Sequence, residues 1–215
     1  GLGDVYKRQP LSPNSFGNFE ISTVLIKTSF SKSDENYSET FKNFQDNRLI
    51  IAQRLAALNG DSSGTVDEFG YPIGYGKNNQ AVLIPSFLSA YSGKNAENIS
   101  LNAITDNPLP NWSVNYSGLI NIDFFKERFK KFSLGHAYRS SYTLNNFKSN
   151  LEYNPSNTQL TDDSGNYINE FLYTNINLVE QFNPLLKIDM ELNNSLQIVT
   201  VSYTHLRAHE TRHDL

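Results

Sequence analysis

Residues 185–198 read LLKIDMELNNSLQI, and the period of this stretch decides the fold class. Leu186, Ile188, Met190, Leu192, Leu196 and Ile198 hold one phase; Lys187, Asp189, Glu191, Asn193, Ser195 and Gln197 hold the other. Side chains alternate across a β-strand, so the run reads as a strand with one aliphatic and one charged face. Globular strands are usually ~5–6 residues long, whereas a tilted strand crossing a bilayer needs ~9–11. Lipid on one face and water on the other suits the pattern. A half-exposed sheet in a soluble sandwich produces the same alternation.

Upstream, the two-residue period recurs. Trp112, Val114, Tyr116, Ile120 and Ile122 alternate with Ser113, Asn115, Ser117 and Asn121. Phe132, Leu134, Tyr138, Tyr142 and Leu144 alternate with Ser133, Gly135, Arg139, Ser141 and Thr143. His136 lies on the apolar phase, where a hydrogen-bonded structural imidazole is expected, since one His on one strand makes no catalytic triad. Asn145-Asn146 shifts the phase, which fits a tight turn or a bulge. Residues 18–30 and 167–179 read as further strands, the first bulged or buried on both faces.

The period lengthens over residues 38–59, where Phe41, Phe44, Ile51, Leu55 and Leu58 recur at helical spacing, with Ser38 or Thr40 as cap and Gly60 as stop. An amphipathic helix packed on a sheet or lining a barrel interior is expected. Residues 60–80 form a Gly-rich loop. Its Gly76-Lys77 is no phosphate loop, because Tyr71 stands where Gly is required and Asn78 where Ser or Thr would hold magnesium. A short helix is expected over residues 85–91, with Pro85 in its first turn and Gly93 ending it. Phe124, Phe125, Phe129 and Phe132 interleave with Lys126, Arg128, Lys130 and Lys131, as at a membrane-interface turn.

The 215 residues include 18 basic and 22 acidic ones, and the net charge of −4 supplies no field for nucleic acid. No cysteine is present, which excludes a disulfide framework, a thiolate metal site and a cysteine nucleophile. No run approaches the ~18 apolar residues of a membrane helix. About one residue in eight is Asn, yet none occurs after Asn194, and three of the four His fall in the last eleven positions. There, His209 to His213 spell H-E-x-x-H, the zinc-protease signature, with His205 one helical turn upstream. A catalytic zinc needs another ligand from outside the helix and partners that orient each imidazole. None is offered, so His205, His209, Glu210 and His213 are read as artefactual, with no metal and no cofactor. Residues 201–211, VSYTHLRAHET, resemble a translated sequencing linker, and residues 1–9, GLGDVYKRQ, its companion. The expected organisation is a non-native leader over 1–9, a body over 10–198 with long alternating strands over 112–198, and a non-native tail over 199–215.

Four ordered stretches of the body carry a resemblance: DEFGYPIGYGKNNQAVLIPSFLSAYSGK (67–94), PLPNWSVNYSGL (108–119), FSLGHAYRSSYTLNNFKSNLEY (132–153) and VEQFNPLLKIDMELNNSL (179–196). FKNFQDNRLIIAQRLA (41–56) fits upstream. Over residues 16–198 the chain resembles the C-terminal part of the SprA family, the gliding-motility and type IX secretion outer-membrane protein of Bacteroidetes. The resemblance implies a mainly β fold, antiparallel strands of a large transmembrane β-barrel, with one clear and one short helix inserted and filling or bordering the lumen. It implies a structural, non-enzymatic part of an outer-membrane translocon that exports folded cargo. Implied partners are the remainder of the barrel, a PorV-type shuttle barrel, a periplasmic plug protein, secreted cargo proteins and outer-membrane lipid. Pro110, Asn111, Trp112, Tyr116, Gly118, His136, Tyr138, Arg139 and Tyr142 are implied to be architectural. Two alternatives remain: another outer-membrane barrel (a porin or nutrient receptor), or a soluble surface β-sandwich adhesin that folds without detergent.

Overall fold

Two long strands organise the chain. The computed structural model describes residues 15–60 and 64–212; the leader over 1–9, residues 61–63 of the Gly-rich loop and His213 lie outside the described residues. β3 (Phe129–Ser149) and β5 (Asn175–Leu192) have 21 and 18 residues and pair antiparallel from Phe129↔Leu192 to Asn145↔Asn175. β6 (Gln197–Arg212) returns along β5. The stretch over 185–198, expected as one strand, is therefore a hairpin. Its turn is closed by Leu192 N–H donating to Leu196 O and Ser195 N–H donating to Leu192 O, with Ser195 at φ 68°. The alternation hides the turn because Met190 pairs with Ile198, so the aliphatic phase survives the reversal.

On the other side of β3, β1 (Phe16–Ser22) pairs with its later half and β2 (Trp112–Tyr116) with its earlier half. Both run antiparallel to β3. The chain thus leaves the line of one strand after Ser22 and resumes it at Trp112, and Leu109 N–H donates to Ser22 O across the break at 3.0 Å. Residues 23–111 are an insertion into a strand. A two-residue β4 (Phe171–Leu172) pairs with the end of β3. The sheet is mainly antiparallel and open, with β1 and β2 at one edge and β6 at the other.

Within the insertion, α1 (Glu39–Leu58) begins where the Ser38 hydroxyl accepts from Phe41 N–H and ends before Gly60, which takes the left-handed conformation at φ 72°. α2 (Gln80–Ser92) starts earlier than the expected 85–91. Asn79 supplies the cap, accepting from Ala81 N–H, and Pro85 lies inside the helix at the loss of one ladder bond. Ile51, Ala52 and Ala56 of α1 meet Val82 of α2, with Tyr71 and Tyr75 of the Gly-rich loop closing that core. Ile84 and Phe87 form a second core against Tyr142, Leu144, Ile176 and Leu178 of the sheet.

Other expectations are corrected. The strand over 18–30 stops at Ser22, because Leu25 is drawn into the second core and residues 26–30 become a turn. Ile120 and Ile122 are not in a strand: a 3₁₀ turn (Gly118–Asn121) and α3 (Asp123–Lys126) connect β2 to β3. Residues 167–179 contain β4 and only the start of β5. At Asn145-Asn146, where the sequence leaves a turn or a bulge open, the chain makes a bulge. β3 gains one residue on β1 between Phe19 and Gly17, Asn146 adopts φ 51°, and its N–H donates to the Asn18 side chain.

As far as it is described, from His209 to Arg212, the H-E-x-x-H segment belongs to β6 and is extended, not helical. His205 pairs with Gln181 and His209 with Leu178. Four strand residues span ~13 Å, so their backbones are not disposed around one zinc ion as on a helix.

Candidate functional surfaces

Register divides the sheet into two faces. Tyr138 pairs with Phe182 and Leu134 with Ile188, so the even-numbered residues of β3 and β5 share one face. That face carries Phe132, Leu134, His136, Tyr138, Tyr142 and Leu144 from β3, joined by Trp112, Val114 and Tyr116 from β2. The opposite face is mostly polar: Ser133, Gly135, Ala137, Arg139, Ser141 and Thr143 lie beside Asn177, Gln181, Lys187, Asp189 and Glu191, with Val179 exposed among them. Lys131 pairs with Asp189 there at 2.6 Å.

The apolar face has two regions. From Tyr138 to Leu144 it is buried beneath the insertion. From Phe129 to Ala137, with β2 and the second half of β5, neither α1 nor α2 covers it; Val114 and Tyr116 are each 51% exposed and Leu186 44%, while Phe132, Leu134, Ile188 and Met190 are half-buried. Aromatic side chains cluster at both ends of this bare region. At one end, Phe125 touches Phe129 and Phe132, while the Arg128 guanidinium lies 4.1 Å from the Phe124 ring. At the other, Trp112 stacks on Tyr138 at 4.3 Å, Tyr138 touches Phe182, and Phe30 of the insertion lies 6.1 Å from Phe182.

Several of the positions that the resemblance marks lie beside the strand break and the register shift next to it. Ser140 faces the break and uses both backbone groups: its O accepts from Thr23 N–H, and its N–H donates to Asn111 Oδ1 at 2.8 Å. Asn111 thereby supplies with its side chain the acceptor that the interrupted strand lacks. The preceding Pro110 has no N–H to leave unpaired. Between Phe182 and Leu186, β5 slips relative to both neighbours. His136 Nδ1 lies 2.7 Å from Leu185 O in this slip. A carbonyl only accepts, so Nδ1 carries the proton. Asn111, Ser113, Arg139, Gln181 and Asn183 line a cleft of about 530 Å³ beside it. Gly118 gives room to Tyr116, whose hydroxyl would lie 2.6 Å from any Cβ placed there.

Tyr138 and Tyr142 tie the insertion to the sheet. Tyr142 OH donates to Ala103 O at 3.0 Å, and burial holds its phenol well above the ordinary tyrosine range. Tyr138 OH accepts from Leu25 N–H at 2.8 Å and donates to Glu180 Oε1 at 2.6 Å. The other oxygen of Glu180 accepts from Ser29 Oγ at 2.5 Å. Glu180 is 5% exposed, and sequence reading missed it. The available signal was a carboxylate on the apolar phase, between Leu178 and Phe182.

Residues 150–174 clasp the far side of the insertion. Tyr167 lies against Gly74, where φ is 83° and a Cβ would stand 2.3 Å from the ring. Asn79 is a buried hub: its amide donates to Gly74 O, and its Oδ1 accepts from both Ala81 N–H and the Asn169 amide.

From Val199 the two-faced pattern inverts. Val199 and Val201 pair with Asp189 and Lys187 on the polar face, whereas Thr200 and Ser202 pair with Ile188 and Leu186 on the apolar one. Ladder bonds are made by backbone, so the free edge of β5 accepts an extended segment whatever its side chains. No family model matches the chain, and no curated protein matches it.

Proposed function

We propose that this chain is a segment of the wall of an outer-membrane β-barrel, in the type IX secretion translocon that exports folded cargo and supports gliding. The observation that carries the membrane reading is the bare apolar region between two aromatic clusters. From Phe129 to Tyr138 is nine residues, which at ~3.3 Å each is ~30 Å of strand and, at a tilt of ~40°, ~23 Å across the bilayer. Outer-membrane barrels carry an apolar band ~25 Å tall between aromatic girdles. Long antiparallel neighbours joined in sequence order are what an up-and-down barrel needs, and the tight turn over 193–195 opposite the longer loop over 150–174 fits short periplasmic turns and long outer loops. A soluble two-layer protein would cover the whole apolar face, and here Val114, Tyr116 and Leu186 stay exposed on it.

The polar face supports a wide aqueous lumen rather than a side-chain-filled interior, since small residues such as Ser133, Gly135, Ala137 and Ser141 line it without aromatics. The ordered motifs shared with the SprA family support a secretion channel over a porin or nutrient receptor. In that role the residues named above shape and seal the wall and perform no chemistry. The test is disruption of the gene in its host. Proteins with type IX C-terminal signals should disappear from the medium and cell surface, and spreading should stop. Unchanged secretion after clean deletion would refute the assignment.

A further inference from the structure

The insertion and the bare region lie on the same face of the sheet. Ile84 and Phe87 rest on Tyr142 and Leu144, and β3 runs without a change of phase through Tyr138 and His136 to Leu134 and Phe132. If that face meets lipid in one half, whatever covers its other half lies outside the barrel. The lumen side stays open there, with Arg139 and Val179 exposed. We infer that residues 23–111 form a collar on the outer wall of the barrel, above the outer leaflet, and that the turn over 26–30 rests at the membrane interface. This reverses the expectation of helices filling the lumen, and it rests on the barrel reading above.

The turn has the character that position requires. Ile26 and Phe30 are 39% and 68% exposed, and Lys27 stands between them. Phe30 sits over Phe182 at the level where the bare region ends. An interfacial anchor combines apolar side chains that reach the acyl boundary with cations at headgroup level. The remainder of the turn is fixed to protein: Thr28 donates to Tyr91 O at the end of α2, and Ser29 to Glu180. Only Ile26, Lys27 and Phe30 are offered outward.

The chain has no cysteine, so single cysteines can be placed in the full-length protein in its native membrane once any others are removed. Val114→Cys reports the bare region, Phe30→Cys the rim of the collar, Asn43→Cys the outer surface of α1, and Val179→Cys the lumen side. Each would carry a bimane fluorophore and be tested with brominated lipid and with an impermeant maleimide on intact cells. The expected result is quenching at Val114→Cys and Phe30→Cys by at least about twofold, no quenching at Val179→Cys, and labelling of Asn43→Cys from outside. Quenching at Val114→Cys without quenching at Phe30→Cys, or without outside labelling of Asn43→Cys, overturns the collar and leaves the barrel standing. Absence of quenching at Val114→Cys overturns the barrel itself, and the collar with it.

Discussion

Replacing Tyr138 with Phe tests what holds the insertion to the sheet. Tyr138 is fully buried, and the substitution keeps the ring, so no cavity opens and the stacking on Trp112 is retained. What is lost is one hydroxyl with two partners. Leu25 N–H, buried at 5% exposure, loses its acceptor, and Glu180 keeps only Ser29 among the two hydroxyls that reach it. A buried N–H left unpaired costs ~1–3 kcal/mol and a hydrogen bond to a charged group is worth ~1.5–3, so the loss should be about 4 kcal/mol. At a urea slope of ~2 kcal/mol per molar, the midpoint should fall by about 2 M. Trp112 is the single tryptophan and stacks on the mutated ring, so its fluorescence in detergent micelles follows this transition directly. Glu180→Gln completes a double-mutant cycle with an expected coupling of ~1.5–3 kcal/mol. A Tyr138→Phe variant within ~0.5 kcal/mol of the parent, or a coupling near zero, would refute the claim that this network docks the insertion.

Four further outcomes are expected. Asn111→Ala should cost ~1–3 kcal/mol by orphaning Ser140 N–H, while Asn111→Asp, which keeps an acceptor, should cost less; amide exchange at Ser140 reads the difference. Because burial raises the Tyr142 phenol above its unfolded value, the stability it confers is complete below pH ~10 and falls as pH rises above that; phenolate absorbance from Tyr142 should appear only as the insertion undocks. Asn146→Gly should be tolerated, whereas Asn146→Val should cost ~1–2 kcal/mol at its left-handed φ, measured by thermal melting. Genomic sequence following Ile198 should place apolar residues at positions 200 and 202 and polar ones at 199 and 201, restoring the two faces; a native gene that encodes the inverted pattern found here would count against both the barrel and the foreign tail.

Much of the sheet was legible because its faces differ so strongly. The alternation over 132–144 and 185–192 placed each side chain on its face, and Ser38 and Gly60 marked both ends of α1. Turns were less legible wherever they preserved the phase, as at 193–195, or where Ile120 and Ile122 continued an alternation that the backbone abandons. The start of α2 was hidden because Pro85 looked like a first-turn residue while the cap, Asn79, stood among other polar loop residues. Least legible was the strand break. Nothing in a linear pattern says that Ser22 and Trp112 continue one line, because the evidence lies in the shared partner β3. Glu180 was passed over for a related reason: its partners Tyr138 and Ser29 are 42 and 151 residues away.

The interruption between Ser22 and Trp112 also bears on how such a sheet can change. The chain departs and returns at neighbouring points, bridged by one backbone hydrogen bond and sealed by the Asn111 side chain. Whatever is spliced between those points leaves the register of β1 and β2 on β3 untouched. The site is therefore a port at which the inserted module can be lengthened, traded or replaced by a foreign domain, while the sheet beneath keeps its strand order and pairing.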